Sequence, residues 1–88
     1  MNLGEITQRL EKLNEWSLEG NAISRVFNFN SFKEALEFIN KVGEKSEEMN
    51  HHPEIIINYN IVKLSLMTHL SGGLTEKDFA LAEEIDRI

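Results

Sequence analysis

No cysteine occurs in the 88 residues, which excludes a disulfide framework, a thiolate zinc site and a thiol nucleophile. Lysine and arginine are few, nine against fifteen acids, and they are scattered along the chain. Binding to nucleic-acid phosphates rests on clustered Lys and Arg. A net charge of −6 and a pI near 5.0 therefore argue against that partner. An anionic membrane surface is disfavoured for the same reason. No apolar run approaches the ~18 residues needed to span a bilayer. Met1 to Leu10 lacks the basic-then-apolar pattern of a secretory signal. Together these absences predict a cytoplasmic protein. Proline is rarer still: Pro53 is the single example, and with Gly72-Gly73 it is the strongest punctuation in the chain. Nothing reads as a linker or a low-complexity tract, so residues 1–88 form one domain.

What is present suits a small globular fold. Hydrophobic residues make up 41% and charged residues 27%, an ordinary soluble balance. A chain of this size buries only about 60–65% of its unfolded surface, so association with further copies would help it. Leu3, Ile6, Leu10 and Leu13 recur at helical spacing, and Asn14 is a plausible stop. Trp16 and Leu18 share a face if the next segment is extended, and Glu19-Gly20-Asn21 reads as a hairpin turn. Ile23, Arg25, Phe27 and Phe29 then alternate with Ala22, Ser24, Val26 and Asn28, a strand pattern with Arg25 interrupting its apolar face.

Ser31 followed by Glu34 is a capping box opening a long helix. Its stripe runs through Phe32, Ala35, Leu36, Ile39, Val42 and Met49, with a small-residue gap at Gly43 and Ser46. Pro53 ends that helix, because a residue before proline is pushed out of the α region. Ile55, Ile57 and Tyr59 mark a third strand; Val62, Leu64, Leu66 and Thr68 mark a fourth. Thr75 with Asp78 caps a final helix whose buried stripe is Leu81, Ala82, Ile85 and Ile88, with Leu74 and Phe79 as a hydrophobic staple. The order α-β-β-α-β-β-α predicts an α+β fold, with an antiparallel sheet covered by helices on one face.

The three histidines are the candidate chemistry. His51 and His52 precede Pro53 at the junction of the long helix and the third strand, and His69 sits where the fourth strand runs out. A hairpin centred on Asn60 would set positions 51 and 69 side by side, with all three imidazoles around one cleft. Histidine, with an unperturbed pKa of about 6.5, both gives and takes protons near neutrality. That suits a dehydration, in which one group protonates a departing hydroxyl and another accepts the proton of a neighbouring nitrogen. By itself a His-His pair at a helix end is ordinarily a capping or surface feature, favoured there by the helix dipole. Metal binding competes, with Glu47 or His69 as further ligands. Adjacent histidines diverge, however, and no His-Glu-x-x-His motif is present, so no metal site is expected. Asp78 is explained by its cap, Trp16 by a core position and Tyr59 by a strand.

Glu47, then His51-His52-Pro53, Tyr59, Thr68-His69, Gly73-Leu74 and Asp78 resemble the signature of the pterin-4a-carbinolamine dehydratases. The flanks Trp16-Ser17, Arg25-Val26-Phe27-Asn28-Phe29 and Leu81-Ala82 agree with it. The resemblance implies a four-stranded antiparallel sheet with helices on one side. It also implies dehydration of 4a-hydroxytetrahydropterin to the quinonoid dihydropterin, in tetrahydrobiopterin recycling, with neither metal nor organic cofactor. On it, His52 is the principal general acid/base, and His51 and His69 share proton transfer. Glu47 orients an imidazole, Pro53 fixes the pair, Trp16 lies near the pocket mouth, and Asp78 belongs to the pattern. The pterin is the small-molecule partner, and a homodimer or homotetramer is implied. The alternatives are a non-catalytic assembly module of the same fold, or chemistry on a molybdenum-cofactor pterin. The intact histidines favour catalysis.

Overall fold

The period of two in the middle and later chain becomes the sheet, and the period of 3.6 becomes its cover. The computed structural model describes all of residues 1–88. It contains α1 (Leu3–Leu10), β1 (Ser17–Glu19), β2 (Ala22–Asn28), α2 (Phe32–Met49), β3 (Glu54–Asn58), β4 (Ile61–Leu66) and α3 (Glu76–Asp86), with a 3₁₀ turn at His69–Ser71 before α3. The four strands form one sheet in the order β1-β2-β4-β3, antiparallel throughout. β4 inserts between β2 and β3, so β2 and β3 run the same way and α2 crosses over between them. The expected α+β architecture is the observed one.

The register fixes two faces. Ile23 opposite Leu66, Arg25 opposite Leu64 and Phe27 opposite Val62 point to the helices. Ser24 opposite Ser65 and Val26 opposite Lys63 point away, because successive side chains alternate. Under the helices, Ile23, Val62, Leu64 and Leu66 pack with Ala35, Phe38 and Val42 of α2 and with Phe79, Leu81, Ala82 and Ile85 of α3. Each fully buried aliphatic chain is worth about 1.5–3 kcal/mol of transfer free energy. Phe38 stacks obliquely on Phe27 and Phe29, with centroids 4.7 and 5.0 Å apart.

Several local expectations are corrected. The buried stripe of α2 is Ala35, Phe38, Val42 and Ser46; Phe32 and Leu36 are exposed. Ser46 fills the small-residue gap by donating its hydroxyl to the Val42 carbonyl at 2.7 Å. Glu34 does not complete a capping box with Ser31; its carboxylate accepts from the Asn30 N–H instead. α1 ends at Leu10, leaving Leu13 in the following turn. The helix before Pro53 ends two residues earlier than proline alone requires, because Asn50 turns left-handed at φ 51°. Tyr59 (φ 56°) lies in the hairpin turn and Thr68 lies beyond β4.

Candidate active site

Antiparallel pairing gathers three connections at one end of the sheet. Glu19 pairs with Ala22, Ile23 with Leu66, and Glu54 with Ser65. The β1–β2 turn, the α2–β3 loop and the β4–α3 loop are therefore neighbours. The middle loop is set by the end of α2. With Asn50 left-handed, the His51 N–H turns back to the Ser46 carbonyl at 3.1 Å, the six-to-one bond of a Schellman motif. The last loop is pinned by Thr68 and Gly73, whose N–H groups bond each other's carbonyls at 2.8 and 3.4 Å. Gly72 takes φ 67°, a conformation that glycine adopts without steric cost.

The hairpin register decides where each histidine goes. Asn58 pairs with Ile61 and Ile57 with Val62, so the hairpin is centred between Tyr59 and Asn60 rather than on Asn60. Continued outward, that register places His52 opposite Met67 and His51 opposite Thr68. Alternation then sends the two adjacent histidines to opposite faces of the sheet. His52 and His69 meet on the helix-free face, where a cavity of about 230 Å³ is lined by Glu19, Ala22, His52, Glu54, Ser65, Met67 and His69. His51 is not among its walls. Larger hollows elsewhere, such as the 450 Å³ groove beside Phe29 and Phe38, hold no histidine.

Each imidazole of the pair has a carboxylate. His52 Nε2 contacts Glu47 Oε2, reaching back from the loop to the last turn of α2, and both side chains are open to solvent. His51 Nε2 lies 2.5 Å from Asp78 Oδ1, with Asp78 fully buried. The other Asp78 oxygen accepts from the Thr75 N–H and the Thr68 hydroxyl, each at 2.9 Å. Asp78 therefore caps α3 and anchors His51 at once. Across the cavity, Glu19 bonds Lys63 at 2.8 Å. That hydrogen bond and the ammonium charge hold the Glu19 carboxyl below the usual glutamate range.

The sequence model described as pterin 4 alpha carbinolamine dehydratase matches residues 1–88. The chain belongs to the pterin-4a-carbinolamine dehydratase family. Curated relatives provisionally named as this dehydratase include one from Chloroflexus aurantiacus, 50% identical over 84 residues, covering 96% of this chain and 90% of the relative. Another, from Sulfurisphaera tokodaii, is 48% identical with the same coverage. Among solved structures, a transcriptional coactivator/pterin dehydratase from Brucella melitensis superposes with a TM-score of 0.93 at 32% identity, over 99% of this chain and 95% of that one. A pterin dehydratase-like protein identified as a RuBisCO assembly factor in the alpha-carboxysome superposes with a TM-score of 0.71 at 25% identity, over 84% and 88% of the two chains.

The dehydratase signature thus splits between two places. His52, held by Glu47, and His69 gather at the outer cavity; His51 and Asp78 form a pair toward the helices. Pro53 lies between them without lining the cavity. Trp16 departs furthest from its expected place. It is 5% exposed, edge-on to Phe27, and donates its indole N–H to Asp86 at 2.8 Å. Asp86 also receives Arg25 at 2.8 Å, and the Arg25 guanidinium lies 4.3 Å from the Phe27 ring centroid. The polar interruption in β2 is thereby paired, and Trp16 belongs to that core network rather than to the pocket mouth. Glu19, Glu54, Ser65, Met67, Thr68 and Thr75 were not singled out as site residues from the sequence. The parity of β4 could have found three of them, since Ser65 and Met67 share the parity of His69, and Thr68 that of the inner face.

Proposed function

We propose that the chain is a hydro-lyase that dehydrates 4a-hydroxytetrahydropterin, serving tetrahydropterin recycling in the cytoplasm. The observation carrying this reading is the meeting of His52, held by Glu47, with His69 across one small cavity in a member of this family. A carboxylate can only accept, so contact with Glu47 keeps the proton on His52 Nε2 and leaves Nδ1 for exchange with substrate. In the reaction one imidazole gives a proton to the 4a-hydroxyl as the C4a–O bond breaks and water leaves. The N5 lone pair forms the C4a=N5 bond, and a second imidazole takes the N5 proton. The two protons balance and no electrons change hands, so the step as written calls on neither a metal nor an organic cofactor. A well-placed acid or base contributes about 10²–10⁴-fold in rate.

Purified protein is expected to accelerate decay of chemically generated 4a-hydroxytetrahydropterin, and His52→Ala to lower kcat/KM by about 100-fold. Wild-type protein no faster than buffer would overturn the assignment. The second reading is a non-catalytic assembly module, favoured by the likeness to the RuBisCO assembly factor. It predicts an inert wild-type chain whose His52→Ala variant still binds its partner. The apolar residues on the uncovered sheet face and on β3, Val26 and Ile56 among them, support a homodimer or homotetramer, which light scattering of the purified chain will test.

A further inference from the structure

The buried end of α3 holds a directed hydrogen-bond chain that a helix cap does not require. Thr68 Oγ1 donates to Asp78 Oδ2 at 2.9 Å. A hydroxyl has one proton, and that of Thr68 is committed to Asp78. The 2.8 Å contact between the two threonine hydroxyls must then run from Thr75 to Thr68. Asp78 Oδ2 is further occupied by the Thr75 N–H. Its remaining oxygen, Oδ1, faces His51 Nε2. The donors are thus fixed: Thr75 O–H to Thr68, Thr68 O–H to Asp78 Oδ2, and His51 Nε2–H to Asp78 Oδ1, so the two ends meet on the carboxylate. A cap needs only Thr75 and Asp78. Thr68, from the β4 side of the loop, has no part in capping.

We propose that Thr68 is a positioning residue that acts through Asp78 on His51, a role that rests on the dehydratase reading only for its effect on rate. With two donors holding Oδ2, the carboxylate cannot rotate, and Oδ1 is presented to one ring nitrogen alone. His51 is then confined to the tautomer protonated on Nε2, with Nδ1 as its exchangeable nitrogen. Its backbone is already fixed by the bond to Ser46, so ring and chain are both held. Asp78 is 0% exposed, so no water replaces a lost hydroxyl without rearrangement. Losing one of two donors to a buried carboxylate oxygen is costly, and turning the carboxylate toward another donor would release the ring.

Thr68→Val removes the hydroxyl at nearly constant volume, and Thr68→Ser restores it. The ¹⁵N chemical shifts of the His51 ring report its tautomer directly. Wild type and Thr68→Ser are expected to show Nε2–H alone, and Thr68→Val a mixture of the two tautomers. In the dehydration assay Thr68→Val should lower kcat about fivefold, the worth of one hydrogen bond, with KM unchanged and Thr68→Ser near wild type. A thermal melt of each variant identifies any loss of fold; should Thr68→Val not fold, Thr68→Ala, which removes the same hydroxyl with a smaller side chain, is read the same way. Unchanged His51 shifts in a folded Thr68→Val protein overturn the proposal, as does a mixed tautomer that Ser fails to correct. An inactive wild type whose His51 shifts still respond to Thr68→Val would remove the dehydratase assignment and leave the coupling standing.

Discussion

Arg25 shows most plainly how one residue is tolerated where its neighbours are apolar. Its side chain is 18% exposed and that of its partner Asp86 8%, so both have lost most of their water. Pairing, the indole N–H of Trp16 on the same Asp86 oxygen and the Phe27 ring face offset that cost, while Arg25 Nε stays without a partner. Removing Asp86 leaves the mostly buried Arg25 with only the solvent-exposed Glu15 carboxylate, 3.7 Å away, as a counter-charge. Asp86→Ala is therefore expected to destabilise the fold by about 3 kcal/mol. Urea unfolding followed by the fluorescence of Trp16, the single tryptophan, measures this; a loss below about 1 kcal/mol, the range of a surface pair, would contradict it. At the exposed end of the sheet Glu19 tells the opposite story. Lys63 lowers its pKa, so the contact stabilises the protein above the ordinary glutamate range and is lost as pH falls through the lowered midpoint. In Lys63→Met the Glu19 carboxyl should titrate higher, as read by carbon NMR; an unmoved titration would mean that the contact does not form in solution.

The element that matters most for the site is the end of α2. Proline at 53 forbids helix just before it, but the stop itself is Asn50, whose left-handed backbone lets His51 turn back onto Ser46. Asparagine tolerates this conformation better than other side-chain-bearing residues. Asn50→Ala is expected to cost about 1 kcal/mol, and Asn50→Gly to cost nothing or to stabilise slightly. Chemical denaturation compares the two. Equal effects would show that the left-handed turn is not what stops the helix. Because Glu47 and His51 flank this turn, the alanine variant should also weaken dehydration beyond its effect on stability.

At the scale of the molecule, 88 residues spread over 38 × 23 × 21 Å, with a radius of gyration of 12.6 Å. Helices cover one side of the sheet, and the other presents Val26 and Ile56, each about half exposed, among charged and hydroxyl side chains. The net charge of −6 opposes association beyond the proposed oligomer by repulsion at neutral pH. Near the pI of about 5.0 that repulsion vanishes. Light scattering across the acid range should show a solubility minimum there, relieved by adding Asp or Glu at Val26. Uniform scattering through the pI would mean that the sheet face is not adhesive.

The sequence by itself determined the number and kind of elements and the fold class. Apolar spacing is a local property: Val62, Leu64 and Leu66 alternate whatever they pack against, and Thr75 with Asp78 marks a helix start on any fold. It also marked His51, His52, His69, Glu47 and Asp78, because unusual side chains stand out without coordinates. Tertiary structure decided how they divide. A register centred between Tyr59 and Asn60 instead of on Asn60 changes which face each histidine meets, and that half-residue is set by the turn and by the core under β4. Likewise Trp16 and Arg25 are joined through Asp86, some sixty to seventy residues away, a contact that only the packing of α3 against the sheet creates. Partners so distant leave no periodicity in the chain, which is why the core network and the Thr75–Thr68–Asp78–His51 chain emerged only in three dimensions.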